Sequence, residues 1–273
     1  MSVVDIKIFN IARTVVDREA VRQWLDYVGA TGYEIPDENI ASNPALLIAL
    51  AAKRCYMSFE EGLNPNVTKI RKDMVAYLEN VLKSGHGSVL EHSVYSFAME
   101  GVSRVFTAEM NRHRAGWAIS EGSLRFIRFD KDIPYWLPTS LQENQTDDPD
   151  LVQRKRKSVE VFKSAFGHQE EAYAELLRIW DMDDTHHNFH YKKVVTSCLR
   201  RIVGLGVATG GVWTGNIRAL RHVISMRATE AAEEEIFYVF GQIGKMMIEK
   251  EPLLFGDFSQ NDMGAFTPKY WKV

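Results

Sequence analysis

The sequence predicts a globular α/β chain in which helices dominate, and three observations carry that expectation. Its 273 residues are 45% hydrophobic and 25% charged, enough to enclose one large core. Tyr95, Phe97 and Met99 alternate with smaller residues, the period of a half-buried strand. Elsewhere apolar residues recur at helical spacing, as in Val21–Val28 and Ile236–Met247. No Pro/Gly/Ser-rich linker divides the chain, so one domain is expected. A net charge of −3 and a pI near 6.3 do not support coating of a nucleic-acid polymer, although local positive charge can hold one nucleotide. Asp5, Arg13 and Asp17 interrupt any leader-like apolar run, and nothing approaches a membrane span. Cys55 and Cys198, far apart and in apolar helical patterns, fit a reduced cytoplasmic chain without a disulfide.

Taken in order, residues 1–43 read as an N-terminal extension. Within it Asp17 to Val28 is an amphipathic helix that stops at Gly29, and Gly32 to Asn43 is turn-rich. Pro44 to Tyr56 is a buried helix, with Cys55 as a small apolar core thiol near its end. Asn64-Pro65-Asn66 starts another, carrying Val67, Ile70, Met74, Leu78, Val81 and Leu82 and ending at Lys83-Ser84-Gly85. Gly101 breaks the strand at Tyr95–Met99, and Ser103 caps a helix through Val105, Phe106, Ala108 and Met110. Residues 128–150, with Pro134, Pro138 and Pro149, form an exposed excursion. Val159, Phe162, Phe166, Tyr173, Leu176, Leu177 and Trp180 mark a long helix, and Val194, Val195, Cys198, Ile202 and Val203 the buried stripe of the next. Gly204 to Gly215 is Gly-rich without a phosphate-loop spacing. Trp213–Arg218 opens a helix through Arg227, Ala231–Lys250 forms the last one, and residues 251–273, with Trp271, are an uninformative tail.

The chemistry concentrates in two places. Arg112 and Arg114, at a helix end and in the following loop, suit an anion, because guanidinium forks match phosphate and carboxylate oxygens. Glu121, Ser123 and Arg125 alternate, so an extended segment turns an acceptor, a hydroxyl and a cation to one side. Farther on, Arg218 and His222 are i and i+4, and Asn216 and Arg227 are nearly in line. That face lines a ligand or is a solvated charged surface. His186-His187-x-x-His190 invites a metal reading, yet no Cys or carboxylate completes a plausible set, and a solvated helix start after Asp183 and Asp184 accounts for it.

Arg112-His113-Arg114, eight residues, then Ser123 flanked by Glu121 and Arg125, resembles the signature of flavin-dependent thymidylate synthases. His86-x-Ser88-x-x-Glu91-His92, Arg201-Ile202-Val203 and the Asn216-x-Arg218…Arg227 segment also match that family. The resemblance covers about 44–250, leaving 1–43 as extension and 251–273 as tail. It implies a mostly antiparallel sheet among helices, and a homotetramer whose active sites are shared between chains. It implies that FAD is held by Ser88, Glu91, Arg112, His113, Arg114, Glu121, Asn216, Arg218 and His222. For dUMP it implies Glu109, Arg112, Glu121, Ser123, Leu124, Arg125, Arg201 and Arg227, with Arg227 the catalytic group. NADPH and methylenetetrahydrofolate are the implied co-substrates, and Cys55 takes the place of a small polar residue near the flavin. Three departures lie in these motifs: one extra residue before Ser123, Glu109 where Gln is common, and Phe126 for Tyr.

Methylating C5 of a uracil ring requires activation. A cysteine route needs an exposed, activated thiolate, and the expected burial of both cysteines argues against it. In the flavin route the cofactor carries the hard step, while the protein positions and polarises. Two alternatives are a C5-methylase or hydroxymethylase of another pyrimidine nucleotide such as UMP, and a relative that binds flavin or nucleotide without catalysis.

Overall fold

The computed structural model describes residues 2–129 and 132–273. In chain order the elements are β1 (Ser2–Val3), β2 (Lys7–Arg13), α1 (Arg18–Tyr27), α2 (Asn43–Tyr56), α3 (Met74–Lys83), β3 (Val94–Ser103) and α4 (Arg104–Met110). There follow β4 (Trp117–Glu121), β5 (Pro134–Tyr135), α5 (Pro149–Ile179), α6 (Phe189–Leu199), β6 (Ala208–Asn216), α7 (Ile217–Arg227), α8 (Glu234–Lys250), α9 (Pro252–Phe255), β7 (Phe258–Gln260) and β8 (Phe266–Pro268). A four-stranded sheet has the order β2-β3-β6-β4. Its registers run in opposite senses: Thr14 meets Val94, Ser93 meets Ile217, Arg104 meets Val207, and Gly116 meets Asn216 while Gly122 meets Gly210. The sheet is therefore antiparallel.

The chain divides into two compact units. One comprises residues 1–8, 98–112 and 119–212, the other 9–97, 113–118 and 213–273. The boundary passes through the sheet strands, which no break in composition could announce. In the second unit Leu25, Ala30, Leu46, Leu50 and Phe59 form a buried cluster, on which Val21, Trp24 and Val28 rest as the α1 stripe implied. In the first, Tyr173, Met182, Val195 and Leu199 pack together.

Several local expectations are corrected. The helix expected from Asn64 begins only at Met74, because Asp73 caps it through Ala76 N–H at 2.8 Å. Asn64 instead closes its own turn, accepting from Asn66 N–H at 3.0 Å. Gly101 does not break the strand. At φ +77° it carries β3 past the backbone of Asp5, where a Cβ would lie 2.3 Å from a carbonyl oxygen. Ser103 does cap α4, accepting from Val105 and Phe106 N–H. The 128–150 excursion is anchored: Tyr135 is buried, stacks on Phe166 at 4.6 Å, and belongs to β5, which pairs in parallel with β1. Asp130 and Lys131 of that excursion lie outside the described residues. On α5, Phe166 and Tyr173 face inward while Phe162 is exposed, as is Trp180 just past the helix end. The C-terminal tail also packs: Asp257 accepts from both Nη atoms of buried Arg221 at 2.6 and 2.9 Å.

Candidate active site

In the first unit α4 presents Arg104, Thr107 and Ala108, followed by Asn111, at helical spacing along one face. With Leu124, Arg200 and Arg201 they line a cavity of about 370 Å³. Arg104 is ion-paired with Glu121, the two side chains being 17% and 16% exposed, and also donates to the Gly122 carbonyl. Thr107 Oγ1 and Asn111 Nδ2 donate to the two oxygens of Glu121, each at 3.3 Å. The Glu121 carboxylate is thus occupied by its own chain. Burial, and then the positive charge of Arg200, hold the Arg104 guanidinium below its usual range. Three guanidiniums face this cavity and one carboxylate answers them, so its field calls for an anion.

Of the residues expected at a nucleotide, Leu124 and Arg201 line this cavity and Glu121 stands against it; Glu109 and Arg112 do not line it. Ser123 and Arg125 depart from the extended segment expected. Residues 124–126 form a turn, with Phe126 and Ile127 N–H both donating to Ser123 O at 2.9 Å and Arg125 N–H to Ser123 Oγ at 3.4 Å. Alternation alone could not distinguish this turn from a strand. Phe126, at the position where Tyr is commoner, stacks on Phe189 at 6.0 Å with Lys193 Nζ 4.9 Å above its ring. Arg104 and Arg200 were not singled out from sequence. The signal for Arg104 was present, as a polar Arg104/Thr107/Asn111 face on an otherwise apolar helix.

In the second unit Asn216 caps α7, its Oδ1 accepting from Ala219 N–H at 2.8 Å, while its own N–H donates to Gly116 O at 3.0 Å. Gly116 has φ +76°, and a Cβ there would stand 2.7 Å from Asn216 Nδ2. Arg218, on the first turn, is ion-paired with Glu91 at 2.6 Å, both half-exposed. It lies so close to Gly87 that a Cβ there would be 2.8 Å from Nε. Ser88 and Glu91 belong to the short helical segment Gly87–His92, and Ser88, Arg114 and His222 are exposed. At the other end of α7, Arg227 Nε donates to His113 Nε2 at 2.8 Å, and the His113 and His222 rings meet edge-on at 6.3 Å. The structure so brings His113, His222 and Arg227 together at one end of this face, and Ser88, Glu91, Asn216 and Arg218 toward the other.

A family model described as thymidylate synthase complementing protein matches residues 39–253. A flavin-dependent thymidylate synthase from Mycobacteroides abscessus is 33% identical over 214 residues, 78% of each chain. The chain belongs to the flavin-dependent thymidylate synthase family. Another relative of that name, from Corynebacterium diphtheriae, is 30% identical over 84% of each chain. Among solved structures, the UMP/dUMP methylase PolB from Streptomyces cacaoi aligns over 94% of this chain and 96% of its own, with TM-score 0.63 at 16% identity. Thymidylate synthase X from Helicobacter pylori, solved with FAD and dUMP, aligns over 93% and 98%, with TM-score 0.54 at 18% identity. Both likenesses place the chain in this family's fold.

For an enzyme of this family the cysteines require a correction, since both are exposed. The final turn of α2 faces outward from Arg54 to Tyr56, and α6 turns Val195, Thr196 and Leu199 inward, leaving Val194 and Cys198 outside. Burial therefore does not exclude a thiol nucleophile. The sharper objection is that, among the described residues, no histidine or carboxylate is bonded to either sulfur to activate it. Around His186 the exposed ring Nδ1 lies 2.7 Å from Asp184 Oδ1, and Asn188 caps α6. The described residues hold no cluster of three or more metal-binding side chains, and none of their helices is long and apolar enough to cross a membrane.

Proposed function

We propose that this enzyme carries out the reductive C5-methylation of dUMP to dTMP, using FAD, NADPH and methylenetetrahydrofolate and no protein nucleophile. The observation that carries the nucleotide side is the cavity faced by Arg104, Arg200 and Arg201, whose surplus positive charge suits a phosphate. In this reading Arg201, Ser123, Leu124 and Arg125 take the nucleotide, Arg112 and Glu109 complete its binding, and Glu121 holds Arg104 in place. Arg227 polarises the pyrimidine.

The residues of the α7 face fit FAD. Gly87 and Gly116 leave no room for a Cβ beside Arg218 and Asn216, as a closely approached backbone requires. The capped N-terminus of an 11-residue helix, with Arg218 on its first turn and Arg114 exposed, suits a pyrophosphate. Ser88, Glu91, Arg112, His113, Asn216 and His222 are the remaining contacts we assign to FAD, with Glu121 at its edge. Bound flavin supplies the electrons of the reduction. The chain's own task is electrostatic: C5 becomes nucleophilic as the ring gains anionic character at N3 and O2. A guanidinium fixed there gains interaction energy in the transition state. Sites shared within a homotetramer, and a reducing cytoplasm suited to two unpaired thiols, complete the reading.

The test is turnover of purified protein with dUMP and UMP side by side, with NADPH and methylenetetrahydrofolate present and flavin followed by its absorbance. Release of dTMP by yellow protein is expected. A preference for UMP would transfer the assignment to the other nucleotide, and a colourless protein that never binds FAD would overturn it.

A further inference from the structure

The contact between Arg227 and His113 carries a consequence beyond the assignment of either side chain to a ligand. Arg227 Nε donates to His113 Nε2 at 2.8 Å. An imidazole nitrogen can accept only when it carries no proton, so the bond requires neutral His113 with its hydrogen on Nδ1. A guanidinium stays charged at any pH the protein experiences, so it is always the donor here. Nε lies in the guanidinium plane, which branches at Cζ: once its N–H is bonded, the plane and both Nη atoms are fixed in direction. Arg227 is half-buried at the end of α7, and His113 lies in the loop after α4, its ring edge-on to His222 at 6.3 Å. His113 is thereby packed against the helix that carries Arg227.

We propose that His113 is a positioning residue for the reaction. As a neutral Nε2 acceptor it orients the Arg227 guanidinium toward the pyrimidine, and at equal FAD occupancy its effect on kcat passes through Arg227. This rests on the reading that Arg227 touches the ring. The physical basis is preorganisation: a charged donor lowers a barrier only if it already points where charge will develop, and a loosely held side chain spends that advantage on reorientation.

The structural part is tested without catalysis. In protein labelled with ¹⁵N-histidine, the signal lost in His113→Gln should be that of a neutral ring with protonated Nδ1 and bare Nε2; a protonated Nε2 overturns the proposal. The functional part uses His113→Gln, whose amide oxygen can accept from Arg227, and His113→Leu, which cannot. With FAD occupancy equalised, His113→Leu should lower kcat roughly 10–100-fold, the range of a lost orienting partner, while His113→Gln stays within about 5-fold of the parent. dUMP affinity, read by calorimetry, should change less than kcat. In an Arg227→Ala background the His113→Leu change should have little further effect, because its partner is gone. Equal losses in both His113 variants, or losses that add to that of Arg227→Ala, overturn it. Failure of the functional reading would look different: the parent protein would not turn over a pyrimidine nucleotide, yet the ¹⁵N result would stand.

Discussion

Arg227 is where a single side chain decides most. If it stabilises the ring anion, Arg227→Ala should lower kcat/KM by roughly 10²–10³-fold, as loss of an oxyanion-hole donor does, with FAD binding nearly unchanged. Arg227→Lys should rescue little, since an ammonium can neither donate through Nε to His113 nor present a planar fork. Steady-state kinetics on both variants, with flavin absorbance as control, decide this, and near-parental kcat/KM in Arg227→Ala removes it from the chemistry. The thiols supply the complementary experiment. Cys55→Ala with Cys198→Ala should retain methylation, and because both are exposed the stability change should be small, within about 0.5 kcal/mol in urea denaturation. A folded, flavin-loaded but inactive double variant would restore the nucleophile route. What the sequence could nominate at this scale were residues whose type and spacing carry chemistry by themselves, such as Arg112, Arg114, Asn216 and Arg218. Arg104 escaped notice because its role comes from facing Glu121 and Arg200, which only the fold brings near.

Helix α2 shows how an element can carry both a legible pattern and a hidden group. Its apolar run announced a buried helix, and Leu46, Ile48, Ala49 and Leu50 are indeed at most 2% exposed. The same periodicity gave no warning that Lys53 would be buried too. Its ammonium donates to the carbonyls of Ser58 and Arg71 at 3.2 and 3.1 Å and lies 4.3 Å from the Tyr77 ring centroid. Burial lowers the Lys53 pKa from 10.5 to about 8. It raises Tyr33 and Tyr77 to about 12. The sign follows from proton counting. Between about pH 8 and 10 the unfolded chain still holds the lysine proton that the folded chain has released, so stability rises with pH. Above 10 the unfolded tyrosines ionise while the folded ones do not until about 12, and the slope reverses. Urea midpoints measured from pH 7 to 11 should show this rise, and Lys53→Met should flatten it while lowering stability overall, since two carbonyls lose their donor. A rise that persists unchanged in Lys53→Met would show that the lysine is not its source. Helix starts were the least legible feature of the elements: Asn64-Pro65 and Asp73 both satisfy the rules for an N-terminus, and packing of Met74, Tyr77 and Leu78 selected the later one.

At the scale of the whole molecule, the residues proposed for one nucleotide belong to different compact units, Arg201 to the first and Arg227 to the second. Such a division follows no boundary in composition. It also bears on how a complete site forms. Ser88, Glu91, Arg112, Arg114, Arg125, Arg201, Arg218 and His222 are all exposed in one chain. A site that stabilises developing charge must exclude water, because in water each of these contacts is worth far less. A second copy of the chain can supply the missing cover, and closed symmetric assemblies repeat that cover at every site. The expectation is that Arg201 and Arg227 serve the same nucleotide from different chains. Arg201→Ala and Arg227→Ala enzymes, each nearly inactive, should then complement one another when their subunits are mixed by dissociation and reassembly. Random pairing leaves up to about a quarter of composite sites with both arginines intact, so activity should recover toward that fraction of the parent value. Size-exclusion chromatography with light scattering would establish the assembly before and after mixing. If each site is built within one chain, no mixture contains an intact site, and recombined assemblies would remain as inactive as their parents.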